Sequence, residues 1–205
     1  MEPACLMGGG RGPRCWNAGH KIVFGFPESR LMSFRNPIRR DRPEIHAHLA
    51  ITADGRISTR NHTPSRFTSA LDKKRLREIR AKHDAILVGR GTLEADAMSL
   101  VLSDKALRNR RLEEGRAVSP WRVVISNSGR FDPNSKIFRQ GDTPPIIFST
   151  FCMPLKTRES IAGLCDLYLF ENRSVPLLAM LSILRREYQV KSLVCEGGGG
   201  LLRSL

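Results

Sequence analysis

Residues 84–92 read Asp-Ala-Ile-Leu-Val-Gly-Arg-Gly-Thr, and this stretch decides the fold. The four apolar residues in a row are typical of a strand that is buried on both faces, and the glycines after them supply a tight turn. Upstream, Thr68 or Ser69 can cap a helix in which Leu76 and Ile79 recur at helical spacing. The stretch therefore predicts a helix, then a buried strand, then a glycine turn.

The same kind of pattern continues on both sides of this stretch. Strand-like runs occupy residues 45–52, 121–126, 145–150, 167–170 and 192–195. Pro176 opens a helix that places Leu177, Leu181 and Leu184 on one face. Strands that alternate with helices predict an α/β layer fold with a largely parallel sheet.

The first 43 residues differ from the rest in composition. They hold three consecutive glycines and six arginines before Asp41, with no sustained hydrophobic period. This composition predicts a flexible basic extension at 1–43, followed by one folded domain at 44–205. The whole chain has 205 residues, 40% of them hydrophobic, and a formal net charge of +14, which favours anionic partners such as phosphates, nucleotides or nucleic acid.

Several protein classes are disfavoured by simple counts. Five cysteines without a C-x-x-C pair suit neither a disulfide framework nor a four-ligand zinc site. The longest apolar stretch, residues 177–184, is far shorter than a membrane span. His46 and His48 share a strand face, but no third ligand is evident, so no metal site is predicted. These features predict a cytoplasmic protein that does not enter a membrane.

Two glycine turns follow apolar runs, at residues 88–92 and 195–200. Backbone N–H groups approach a phosphate closely where no Cβ intervenes. Neither turn fits the G-x-G-x-x-G dinucleotide fingerprint, and each alone is better explained as a simple strand-to-helix connection. Their occurrence together raises the hypothesis of a nucleotide site.

Five ordered motifs resemble one known family. They lie at residues 50–57, 68–81, 84–96, 122–125 and 194–198. In sequence and spacing they are similar to the pyrimidine reductase domain of riboflavin biosynthesis, the C-terminal half of the bifunctional deaminase-reductase, over about residues 43–205. The resemblance implies a dihydrofolate-reductase-like α/β fold of three layers with a mostly parallel central sheet. It also implies NADPH-dependent hydride transfer to the ribose C1 of 5-amino-6-(5-phosphoribosylamino)uracil or a related heterocycle, which opens the sugar to a ribityl chain.

The resemblance also implies roles for individual residues. Asp96 would be the catalytic, proton-handling group, although a carboxylate at a helix start is more often a cap. The implied cofactor-binding residues are Ala50, Gly89, Arg90, Thr92, Asp96, Asn127, Gly198, Gly199 and Gly200, and the implied substrate-binding residues are Arg80, Leu100 and Glu196. Ser126, Ser128 and Arg130 are candidates for a 2′-phosphate contact, with an ordinary polar turn as the alternative. For Arg80 the alternative is a solvated basic helix face, and for Glu196 it is a surface charge.

The chain departs from the family pattern in places that leave the exact substrate open. Asp96-Ala97-Met98 replaces an Asp-Asp-Pro motif, Ser103 stands where a second phosphate-binding arginine is expected, and Arg66 stands at a tryptophan position. The competing predictions are a nucleic-acid-binding basic protein and an inactive member of the reductase fold.

The resemblance also bears on the end of the chain. The family continues beyond the position of Leu205 with further strands, so the domain is expected to be incomplete at its C-terminus. An open sheet edge would then favour a homo-oligomer and make the isolated monomer marginal in stability.

Overall fold

The computed structural model describes the backbone of residues 14–17 and 20–23, together with residues 41–57 and 69–205 in full. The strands in these ranges are β1 Arg14–Asn17, β2 His20–Val23, β3 Glu44–Ala47, β4 Ala85–Gly89, β5 Trp121–Ser126, β6 Ile146–Thr150, β7 Asp166–Phe170 and β8 Ser192–Cys195. The helices are α1 Ala70–Lys82, α2 Arg90–Ala95, α3 Lys105–Glu113, α4 Lys136–Arg139, α5 Leu155–Ser160, α6 Leu177–Glu187 and α7 Gly199–Ser204.

The strands form one sheet in the order β1-β2-β7-β6-β5-β4-β8-β3. Among the described strands only β1 and β2 pair antiparallel, so the predicted largely parallel sheet is confirmed. The last strand, β8, lies between β4 and β3, where Cys195 is in register with both Leu87 and Ala47. The carboxyl ends of three strands that are distant in sequence therefore meet at one place.

Helices cover both faces of the sheet. Successive residues of a strand point to opposite faces, so Ala85 and Leu87 pack in the cluster that contains Met180 of α6. Ile86 and Val88 pack in a second cluster on the other face, which contains residues of α2, α4 and the segment after α5. Every residue from Ala85 to Val88 is completely buried. The predicted three-layer α/β fold is confirmed.

The start of α1 is the predicted one, whereas the first strand of the domain is shorter than predicted. Ser69 Oγ accepts a hydrogen bond from the Asp72 N–H at 3.1 Å and so caps α1. The predicted strand at 45–52 ends at Ala47. Its partner β8 ends at Cys195, so beyond the hydrogen bond from His48 N–H to Cys195 O no strand among the described residues pairs with it.

Part of the predicted extension at 1–43 joins the sheet. Residues 14–17 and 20–23 form β1 and β2, and Ile22 is in register with Leu169 of β7. The rest of residues 1–40 lies outside the described residues, as does Arg66, and the domain boundary at residue 43 stays a prediction. No helix within the described ranges is long and apolar enough to cross a membrane.

A buried guanidinium on β5 ties several loops to the sheet. Arg122 is 4% exposed. It donates to the carbonyl oxygens of Ser99 at 3.1 Å, Ile137 at 2.8 Å and Gln140 at 2.5 Å, and also to that of Thr143. Burial lowers the pKa of Arg122, and the ring of carbonyl acceptors replaces the water that the charge loses.

Candidate functional site

A cavity of about 890 Å³ opens at the carboxyl ends of β3, β4 and β8. Its wall comes from residues in segments 48–50, 89–98 and 196–203, and from one side of α1. In open parallel sheets, ligands bind outside the carboxyl ends of the strands, where neighbouring strands connect in different directions. The position of β8 between β4 and β3 creates such a place, and the cavity volume suits a small organic ligand.

The two predicted glycine turns meet in this cavity. Gly89 N–H donates to Gly197 O at 3.3 Å, and Glu196 N–H donates to Leu87 O at 3.0 Å. Gly198 has φ +92°, and a Cβ built there would lie 3.2 Å from Thr92 Oγ1. Only glycine adopts this backbone conformation easily, and the missing side chain leaves room against Thr92 for a ligand.

Arg80 and Glu196, both predicted to bind substrate, pair with each other. Arg80 Nε donates to Glu196 Oε1 at 2.6 Å, and Arg80 Nη2 donates to Glu196 Oε2 at 2.5 Å. The side chains are 13% and 3% exposed, respectively. Neither the solvated basic face nor the surface charge weighed from the sequence describes these two residues. Glu196 lines the cavity, so the pair presents an oriented carboxylate to it.

Ala50, Thr92 and Asp96 also line the cavity. Asp96 follows the last residue of α2 as its C-cap and does not stand at a helix start. Its N–H donates to Thr92 O at 3.2 Å. Among the described residues, none donates a hydrogen bond to its half-buried carboxylate.

A second cavity of about 570 Å³ adjoins the first and shares Gly89, Gly200 and Leu201 with it. Asn127, a predicted cofactor residue, lines this cavity, and its Oδ1 accepts the Val175 N–H at 3.0 Å. The two cavities together extend along the carboxyl ends of β3, β8, β4 and β5.

The candidates for a 2′-phosphate contact are placed differently from one another. Ser126 lines the second cavity, and its Oγ accepts the Gly129 N–H at 3.0 Å, as in a polar turn. Ser128 and Arg130 line neither cavity.

Two predicted site residues lie away from the cavities. Leu100 is 1% exposed and packs in the cluster that contains Ile86 and Val124, because φ +57° turns its backbone toward the core. Arg90 does not line either cavity, and its guanidinium pairs with Glu94 one helical turn later. Neither residue lines a cavity in this arrangement.

Several residues that line the first cavity were not predicted from the sequence, namely His48, Asp72, Lys73, Leu76 and Arg203. For three of them, the spacing from a predicted site residue in the sequence could have indicated a place on the same side of a helix. Lys73 and Leu76 precede Arg80 at intervals of seven and four, which places all three on one side of a helix. Arg203 follows Gly199 at the same interval of four.

The ring of His46 contacts that of another histidine. The rings of His46 and His83 lie 4.7 Å apart, and His83 Nδ1 is 2.7 Å from Ile79 O. Burial lowers the pKa of His83, and the nearby His46 and Arg116 lower it further. Within the described part of the chain, no group of three potential ligands could hold a metal ion.

A family model described as the RibD C-terminal domain matches residues 43–205. A 2,5-diamino-6-ribosylamino-4(3H)-pyrimidinone 5′-phosphate reductase from Archaeoglobus fulgidus is 31% identical over 80% of this chain and 74% of its own length. A riboflavin biosynthesis protein RibD from Actinobacillus pleuropneumoniae is 26% identical over 98% of this chain, which spans 52% of that relative.

Solved structures show the same fold. A pyrimidine reductase-like protein from Corynebacterium diphtheriae superposes with a TM-score of 0.68 at 21% identity, over 85% of this chain and 74% of that one. The Saccharomyces cerevisiae riboflavin biosynthesis reductase superposes with a TM-score of 0.58 at 24% identity, over 83% and 69%.

Proposed function

Because the chain belongs to the RibD C-terminal domain family, we propose that it is a reductase of riboflavin biosynthesis whose substrate is a 5′-phosphorylated ribosylaminopyrimidine. The observation that carries the proposal is the single cavity in which both glycine turns, Asp96 and the oriented Glu196 carboxylate meet. The substrate class follows the name of the relative that is 31% identical.

NADPH is the proposed cofactor, and the chain's residues fit it. The adjoining cavities of about 890 and 570 Å³ share lining residues, so together they offer an elongated site for a dinucleotide. Gly198 leaves space beside Thr92 that a Cβ would fill. Gly199 and Gly200 also line the first cavity, so backbone there can approach phosphate groups closely.

When bound, NADPH supplies the hydride that the ribose C1 receives as the sugar opens to a ribityl chain. The protein must then orient the reacting carbon and provide one proton to the sugar or its nitrogen. Asp96 is the proposed proton-handling residue, since its carboxylate lines the cavity beside Thr92.

Glu196 is the proposed ligand of the pyrimidine. A carboxylate accepts hydrogen bonds from amino and ring N–H groups, and both oxygens of Glu196 keep acceptor capacity beyond the two bonds from Arg80. Arg80 acts through Glu196, because its two hydrogen bonds fix the direction of the carboxylate. We therefore assign Arg80 a positioning role in place of direct substrate contact.

Neither competing prediction is favoured. The nucleic-acid-binding hypothesis rested on net charge, and the relatives named above are reductases and a riboflavin biosynthesis protein.

An assay of NADPH oxidation tests both the proposed function and the hypothesis of an inactive member. The loss of NADPH absorbance is followed with the purified chain and a 5′-phosphorylated ribosylaminopyrimidine, with Asp96→Asn as the control variant. Substrate-dependent oxidation by the native chain supports the proposal, and NADPH binding without turnover contradicts it.

A further inference from the structure

Two buried hydroxyl groups at the end of β6 hold the turn that follows β5. Ser149 Oγ donates to Ser126 O at 2.7 Å, and Thr150 Oγ1 donates to Asn127 O at 2.7 Å. Ser149 and Thr150 are completely buried, and neither residue lines either cavity. The wall of the second cavity at the end of β5 is therefore fixed by groups that do not themselves face the cavity.

The Thr150 hydroxyl also joins this turn to the one that follows β6. Its oxygen accepts the Cys152 N–H at 3.1 Å, and Thr150 O accepts the Met153 N–H at 3.0 Å. A Cβ built on Gly129 would lie 2.5 Å from Met153 Cβ, so the two turns are in direct contact. Because a hydroxyl has one hydrogen to donate, that of Thr150 is committed to Asn127 O.

Asn127 links this turn to a second wall of the same cavity. Its Oδ1 accepts the Val175 N–H at 3.0 Å, and Val175 lies in the connection between β7 and α6, which also lines the cavity. A backbone N–H can only donate, so the amide oxygen faces Val175 and the NH2 group is directed away from it. No described residue accepts a hydrogen bond from this NH2 group, so it remains available to an acceptor on a ligand.

Resting on the proposed function, we propose that Thr150 is a positioning residue for NADPH. Its hydroxyl fixes the backbone of Asn127, whose amide then holds the β7–α6 connection and offers its NH2 group to the cofactor. Suitable acceptors are the hydroxyl and phosphate oxygens of a dinucleotide. Without the Thr150 hydroxyl, Asn127 O loses its donor and the turn can shift, so the amide no longer meets Val175 and the cofactor in a fixed direction.

The first experiment follows the fluorescence of NADPH as it is titrated into the native chain, Thr150→Val, Thr150→Ser and Ser149→Ala. Thr150→Val is expected to raise the Kd about tenfold, because valine has nearly the shape of threonine without the donor. Thr150→Ser keeps the hydroxyl and should retain near-native affinity.

Ser149→Ala is the matched control. It removes a hydrogen bond of the same length to the neighbouring carbonyl and leaves the bond from Thr150 to Asn127 in place. The side chain of Ser126 bonds within its own turn, to the Gly129 N–H. Ser149→Ala and Thr150→Val should both unfold at lower urea concentrations, whereas only Thr150→Val should bind NADPH more weakly.

The second experiment tests the link to Val175 by amide hydrogen exchange without any ligand. Thr150→Val and Asn127→Ala should each speed the exchange of the Val175 N–H about tenfold, and Ser149→Ala should leave it near the native rate. The double variant Thr150→Val/Asn127→Ala should bind NADPH no more weakly than Asn127→Ala alone, since both changes break the same link.

The alternative results are distinct from one another. Equal rises in Kd for Thr150→Val and Ser149→Ala would assign the effect to general loss of stability and overturn the proposal. Native exchange at Val175 in Thr150→Val, or additive losses of NADPH affinity in the double variant, would overturn it as well. NADPH binding by the native chain without substrate turnover would overturn the proposed function and leave the role of Thr150 standing, and no binding of NADPH would overturn both.

Discussion

Arg80 and Glu196 stand 116 positions apart in the chain and form a two-bonded ion pair. The pair joins the helix before β4 to the turn after β8, so it holds two walls of the cavity together. A carboxylate this far from water would be costly without its partner. The cavity therefore depends on Arg80 even though Arg80 itself does not line it.

Arg80→Met should lower the free energy of unfolding by about 3–5 kcal/mol, because it leaves a buried carboxylate unpaired. The double variant Arg80→Met/Glu196→Gln should recover part of that loss, since no charge remains to be satisfied. Urea unfolding of the native chain, both single variants and the double variant gives the coupling between the two residues. A loss below about 1 kcal/mol for Arg80→Met, as is usual for surface ion pairs, would contradict this account.

Gly198→Ala should weaken NADPH binding and also destabilise the fold by about 1–2 kcal/mol, because φ +92° is a left-handed conformation. Gly163→Ala is a matched control: its φ is +75°, and a Cβ there meets nothing within 4 Å. Both variants should unfold at lower urea concentrations, and fluorescence titration should show a raised Kd for NADPH in Gly198→Ala alone. Equal NADPH affinity in the two variants would place the cofactor elsewhere.

Asp96→Asn should lower kcat by about two to four orders of magnitude if the carboxylate handles the proton of the reaction. The Kd for NADPH should remain near that of the native chain, since the amide occupies the same space. Glu94→Gln, on the same helix but paired with Arg90, is expected to keep near-native kcat. A fully active Asp96→Asn variant would leave Asp96 with a structural role only.

The stability of the fold should fall in mild acid because of His83. Its pKa in the folded chain is below the ordinary value of 6.5, so between those two values the unfolded chain binds more protons. The free energy of unfolding should therefore decrease as the pH falls below about 6.5, by at most about 1.4 kcal/mol per pH unit from this group. Urea unfolding between pH 7.5 and 5 measures the slope, and His83→Gln should make it shallower. An unchanged slope in His83→Gln would assign the acid sensitivity to other groups.

The central strands could be predicted from sequence because helices cover both their faces. In β4 every residue from Ala85 to Val88 is apolar and buried, which is a pattern that needs no knowledge of neighbours. The end of β3 could not be predicted in this way. Its alternating pattern continues to residue 52, but the strand stops where its partner Cys195 ends.

The site could be predicted as a set of positions more readily than as a set of contacts. Motif matching singled out Arg80 and Glu196, yet their pairing depends on β8 lying beside β4, which is a property of strand order. It also singled out Leu100 by position, whereas a left-handed backbone conformation at that residue turns the side chain into the core. Lys73 lies within the matched motif at 68–81 without a predicted role, and Arg203 lies outside the motifs, so only the assembled cavity connects them.

The four carbonyl groups held by Arg122 have a consequence for how the molecule opens. Ser99 belongs to the connection between β4 and β5, whereas Ile137, Gln140 and Thr143 belong to the connection between β5 and β6, and all four carbonyl groups accept from one cation on a central strand. If any of these connections detaches, the guanidinium loses an acceptor in a place that water does not reach. The connections therefore form one cooperative unit, whose amide hydrogens should exchange with solvent together and only when β5 itself becomes exposed.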